Sequence, residues 1–140
     1  MGKIIEGNVN LSNLHLTELF DLSDVEVTGD FSCSKNDLTS LEGSPHTVGG
    51  NYYCHNNHLT SLEGSPHTVG GDYDCDKNPL KSLKGIPKYI GGKFFIDIRL
   101  KDDFTENYIR DLSNIQGNVR YVDNGLIAWA EWEIAPPGDY

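Results

Sequence analysis

Apolar positions recur along this chain every 21 residues: Cys33, Cys54 and Cys75, then Leu38, Leu59 and Leu80, then Leu41, Leu62 and Leu83, then Val48, Val69 and Ile90. Polar and turn-forming residues keep the same spacing, as in Asn36, Asn57 and Asn78 and in Pro45, Pro66 and Pro87. A fixed period of this length marks a solenoid in which each copy is one stacked coil. Three clear copies begin at Gly29, Gly50 and Gly71. A fainter one begins at Gly7, 22 residues earlier, with Val9, Leu11, Leu16 and Leu19 in the places of Phe31, Cys33, Leu38 and Leu41. Another begins at Gly92, where Phe94 and Ile96 fill the first two inward positions but Arg99 replaces the asparagine, so the array is expected to end there after about five coils.

Within a coil the pattern reads aromatic, x, Cys, x, x, Asn, x, Leu, x, x, Leu. Tyr52 and Cys54 alternate onto one face of a short strand, while Asn51, Tyr53 and His55 point the other way. Glycine, proline and asparagine punctuate the remainder of the coil, which predicts extended chain or loop rather than helix. One such coil buries too little apolar surface to offset the entropy of ordering it, so copies must stack and share ladder hydrogen bonds. The predicted fold is mainly β: a short solenoid of stacked parallel strands over residues 1–100, capped by residues 101–140. In that cap Thr105 starts a short helix carrying Tyr108, Ile109 and Leu112 on one side. A β-hairpin is expected to come next, with residues 117–123 and 126–134 joined by an Asn124-Gly125 turn.

The inward pattern resembles the LxLxxNxLxxL core of leucine-rich repeats over about Gly7 to Ile98, with aromatic and cysteine residues where the commoner families carry leucine and without their outer helix. The phrase LTSLEGSPHTVGGNYYC, Leu38 to Cys54, is similar to leucine-rich-repeat proteins common in large tailed bacteriophages. That resemblance implies a phage or bacterial origin and carries no assigned activity.

Composition narrows the chemistry. Twenty-one acidic against 11 basic residues give a net charge of −10, which disfavours direct binding to a phosphate backbone. It suits a basic protein partner, or a site that nucleic acid normally occupies. No run of about 18 apolar residues and no leader-like segment is present, so neither export nor membrane insertion is expected. Three evenly spaced cysteines suit free thiols in the cytosol better than a disulfide framework.

Catalytic and metal constellations are weak. The cysteine ladder near His55 and His58 lacks short ligand spacing and reads as core packing, and His46 and His67 read as turn residues without a nucleophile partner. The repeated asparagines are expected to bond the backbone of neighbouring coils. No cofactor, metal or enzymatic activity is expected. Stacking the outward strand positions instead gives rows in which Tyr53, His55 and Phe95 lie among Asp72, Asp74, Asp76 and Asp97. Aromatic anchors in a negative field suit a docking surface. Trp129 is a further interface candidate on the expected hairpin, through which the chain can also self-associate. The function these features point to is non-enzymatic protein–protein binding, and the resemblance to phage proteins implies binding, and inhibition, of a bacterial host or defence protein in the host cytoplasm. The alternative is an acidic mimic of nucleic acid that blocks a DNA- or RNA-handling enzyme.

Overall fold

Residues 2–124 are described by a computed structural model, in which every coil gives one short strand to each of two sheets. The first coil has β1 (Lys3–Ile5) and β2 (Val9–Asn10), the second β3 (Val25–Val27) and β4 (Phe31–Ser32), and the third β5 (Thr47–Val48) and β6 (Tyr52–Tyr53). The fourth has β7 (Thr68–Val69) and β8 (Tyr73–Asp74), the fifth β9 (Tyr89–Ile90) and β10 (Phe94–Asp97), and a sixth β11 (Asn114–Ile115) and β12 (Val119–Val122). Odd-numbered strands form the first sheet and even-numbered strands the second, each six-stranded, parallel and in coil order. The expected mainly β solenoid of parallel strands is therefore what the chain forms.

Two features differ from the sequence expectation. A second strand per coil arises at Thr47–Val48 and its equivalents, in stretches too short and too closely flanked by proline and glycine to show alternation. The array also continues past the fifth coil, because Val119 pairs with Phe94 and Ile115 with Ile90. The step from Phe94 to Val119 is 25 residues, and the extra length holds a 3₁₀ turn (Ile98–Leu100) and helix α1 (Glu106–Leu112). Thr105 caps α1 as expected, its hydroxyl accepting from the Tyr108 N–H at 3.3 Å, yet only Ile109 is buried while Tyr108 and Leu112 stay exposed. The helix occupies the arc between β10 and β11. The first half of the expected hairpin is thus β12, a solenoid strand; its second half, with Trp129, lies outside the described residues.

The interior is one continuous column. Phe31, Tyr52, Tyr73 and Phe94 stack with ring centroids 5.6, 5.1 and 5.7 Å apart. Cys33, Cys54 and Cys75 form a neighbouring column of buried free thiols, and burial pushes the Cys33 thiol up to about 12. Such thiols are small apolar fillers, not thiolate ligands. The Ser44 hydroxyl donates to the Leu41 carbonyl at 2.7 Å, which leaves the Tyr52 hydroxyl to donate to Ser44, also at 2.7 Å. Ser65 and Tyr73 repeat the arrangement at 2.6 Å. One coil later both hydroxyls vanish together, leaving Ile86 and Phe94.

The repeated asparagines hold the bends. Asn57 donates to the carbonyls of Cys33 and Cys54 at 3.0 and 3.1 Å, and its oxygen accepts from the Leu38 N–H at 3.0 Å. Asn78 does the same one coil on and accepts from both Asn57 and Leu59 N–H groups at 3.1 Å. Because Asn57 is fully buried, Asn57→Ala strands several backbone groups at once, each costing roughly 1–3 kcal/mol. The expected loss is at least about 3 kcal/mol in urea unfolding. Thr60→Ala, at an exposed arc position, should cost less than about 0.5 kcal/mol.

Candidate docking face on the second sheet

Each strand of the second sheet begins at a glycine corner and presents up to three outward positions before the chain bends away. At the first of these, Asn8, Asp30, Asn51 and Asp72 form a ladder. The side-chain oxygen of each accepts the N–H of its successor, ending on Lys93, and every step is 2.8 Å. Asp72, expected on the docking face, is therefore half-buried and committed through one oxygen to the backbone. The requirement at this corner is a short side-chain acceptor, which only asparagine and aspartate meet at this reach.

The third position is not outward either. Ser34, Asp76 and Asp97 are buried, at 5%, 9% and 3% exposure. Lys35, Asn56 and Lys77 occupy the next place along with φ near +57°, +59° and +52°, and this left-handed residue folds the chain back so that its predecessor lies in a crease. Asp97 is held there, one oxygen accepting from the Arg99 N–H at 2.9 Å and the other from the Asn124 amide at 2.9 Å.

The middle position is turned outward: Asn10, Ser32, Tyr53, Asp74, Phe95 and Arg120 lie in register on consecutive strands, the two end residues exposed and the four between them half-buried. Asp74 thus sits between Tyr53 and Phe95, one strand spacing from each. Tyr53 is fixed by the Asn51 amide, which donates to its hydroxyl at 2.9 Å, and by the His55 ring, edge-on with centroids 6.0 Å apart. A shallow depression of about 330 Å³ opens beside it, walled by Asn8, Asn10, Ser32, Tyr53 and His55.

Beneath this row lies a coupled group. His55 Nδ1 is 3.5 Å from Asp74 Oδ2, and the other Asp74 oxygen accepts the Asp76 N–H at 3.1 Å. Burial, reinforced by the neighbouring Asp74 charge, pushes the Asp76 carboxyl up to about 7. Burial likewise raises Asp74 and lowers His55. Both carboxyls are thus harder to ionise than free ones, Asp76 the more so.

Among the described residues, no group of three or more His, Cys, Asp or Glu side chains is placed to hold a metal ion. No described helix is long and apolar enough to cross a membrane. The structure brings Tyr53, His55, Asp74, Asp76 and Phe95 together. It places Asp72 and Asp97 in the scaffold, and Trp129 lies outside the described residues. No family model, curated protein or solved structure matches this chain. What is established is a repeat-like parallel β-solenoid.

The Asp76 carboxyl is raised in the folded state from 3.8 to about 7, so its folded form holds more protons than its unfolded form between those values. Stability contributed through Asp76 is full below pH about 4 and falls as pH rises to about 7. Asp76→Asn removes that loss. Thermal denaturation should show equal stability near pH 4 and a gain on the order of 2 kcal/mol for the variant at about pH 8. His55 runs in the opposite sense, and the variant also removes the Asp76 charge that favours its protonated form.

Proposed function

We propose that the chain is a non-enzymatic interaction module that docks a basic segment of a protein partner on the second sheet, at Asp74 and its flanking aromatics Tyr53 and Phe95. The observation that carries it is the outward row of Asn10, Ser32, Tyr53, Asp74, Phe95 and Arg120, whose side chain differs in every coil. Rows that serve the scaffold repeat themselves, so a row without repetition is one the fold leaves free. A lysine or arginine side chain laid there meets a carboxylate and two ring faces at once.

The resemblance of Leu38 to Cys54 to phage leucine-rich-repeat proteins supports a narrower version: a phage protein acting in the cytosol of a bacterial host, binding and inhibiting a host or defence protein. Three unpaired thiols suit that compartment. The acidic-mimic alternative is less well supported, since a phosphate mimic needs exposed charges. On this sheet Asp76 and Asp97 are buried, which leaves Asp74 as the one carboxylate of the row.

A lysine- and arginine-rich peptide titrated into labelled protein should shift resonances of Tyr53, His55, Asp74 and Phe95 first. Tyr53→Ala with Phe95→Ala should weaken peptide binding at least about tenfold, equivalent to roughly 1.4 kcal/mol, with the fold intact. Unchanged affinity in the double variant, or shifts confined to other faces, rejects the site.

A further inference from the structure

On a different flank, the arcs that leave the second sheet form an open groove of about 1200 Å³ along the solenoid axis. Gly43 and Gly64 lie in it with φ near +97° and +92°, and a Cβ on Gly64 would meet the backbone of Leu41 and Glu42. Gly43 rests in the same way on Leu19 and Phe20. Phe20, Glu42, Glu63 and Lys84 are thereby equivalent residues of successive arcs, and all are exposed. Helix α1 closes the far end with Tyr108 and Leu112.

Charge is sorted along this groove. Its amino-terminal half is lined by Glu18, Asp21 and Glu42, with Glu63 exposed on the next arc. Its carboxyl-terminal half is lined by Lys84 and Lys88, where the preceding copy has Glu63 and His67, and Lys81 is exposed on the same arc. Apolar surface is sorted too. Phe20, 64% exposed, stands at the acidic end, and Tyr108 and Leu112, 46% and 39% exposed, stand at the basic end.

We propose that this face is a homodimer interface, with a second copy of the chain docked antiparallel across a two-fold axis near Glu63. A two-fold rotation about that point exchanges the two ends of the groove. Glu42 of each copy then faces Lys84 of the other, and Phe20 of each faces Tyr108 and Leu112 of the other. A single partner segment would satisfy one end; a second copy satisfies both, twice over, which is the self-complementarity an isologous contact requires. At the axis each Glu63 carboxylate is already 3.9 Å from Lys84 of its own chain, which offsets repulsion between the two copies of Glu63. The net charge of −10 opposes association at long range, so the contact depends on local pairing rather than on overall attraction.

Sedimentation equilibrium of the full chain tests this. At about 0.1 M salt the protein should be a dimer, and the association constant should fall at least about tenfold near 1 M salt, where screening shortens from about 10 Å to about 3 Å. Glu42→Lys alone and Lys84→Glu alone each place like charges opposite one another, so both should be monomers with unchanged circular dichroism. An equimolar mixture of the two variants restores opposite charges at both contacts, because the introduced lysine faces the introduced glutamate and the remaining native Lys84 faces the remaining native Glu42. The mixture should therefore dimerise again. Tyr53→Ala, on the second sheet, should leave the dimer intact, which separates this interface from the docking face. A monomeric wild type at about 0.1 M salt, a charge-reversal variant that dimerises like wild type, or a mixture that stays monomeric each overturns the proposal.

Discussion

A strand of two residues cannot satisfy the backbone around it, and that shortage governs the whole solenoid. Most of the strands are only two or three residues long, and the bends between them are buried. Carbonyl and N–H groups that a longer ladder would pair are met by side-chain amides and carboxylates from an adjacent coil. Asn36, Asn57 and Asn78 do this inside the bends, and Asn8, Asp30, Asn51 and Asp72 supply acceptors at the corners. Both devices work only if each side chain arrives level with its target in the adjacent coil. The hydrogen bonds require alignment of these side chains between coils, and extra length is taken up in the arcs, one residue in the first coil and the stretch that holds α1 in the fifth.

The column of side chains obeys a second constraint, that of matched chemistry across a coil. A buried phenol needs a partner for its hydroxyl, and Tyr52 and Tyr73 find theirs in Ser44 and Ser65, eight residues earlier. At the next coil the serine becomes Ile86 and the tyrosine becomes Phe94. Ser23, eight residues before Phe31, keeps its hydroxyl without a phenol because it is exposed and donates to Asp21, so the pairing is required only where the phenol is present and buried.

Much of this was legible in the sequence because its causes are local and repeated. The alternation of Tyr52 and Cys54 marked the second sheet, and the invariant step between asparagines marked the ladder. The first sheet was not legible, since Thr47 and Val48 between Pro45 and Gly49 offer no period to read. The sixth coil escaped because the interval before it grew to 25 residues and the fifth coil carries Arg99 where the asparagine stood. Of the expected docking rows, only the middle one is turned outward. A left-handed residue such as Asn56 is compatible with many sequences, and nothing in the pattern announces that its counterpart Lys77 turns Asp76 into a crease. The groove was missed because its residues look like ordinary turn chemistry until the arcs are stacked and the charges fall into order.

The raised Asp76 carboxyl would couple proton release to any cation that docks at Asp74. Asp76 sits against Asp74 and is largely hidden from water, so its charged form is penalised by burial and by its neighbour. A cationic side chain placed on Asp74 would remove the second of these penalties and part of the first. The Asp76 carboxyl would then ionise at a lower pH than in the free protein. By linkage, binding of a cation at Asp74 must release a proton wherever the pH lies between the bound and free values, and affinity must rise with pH across that interval. A neutral or anionic group docked at the same place would have no such effect. Proton release measured alongside binding therefore reports the charge of whatever occupies the row, independently of how tightly it holds.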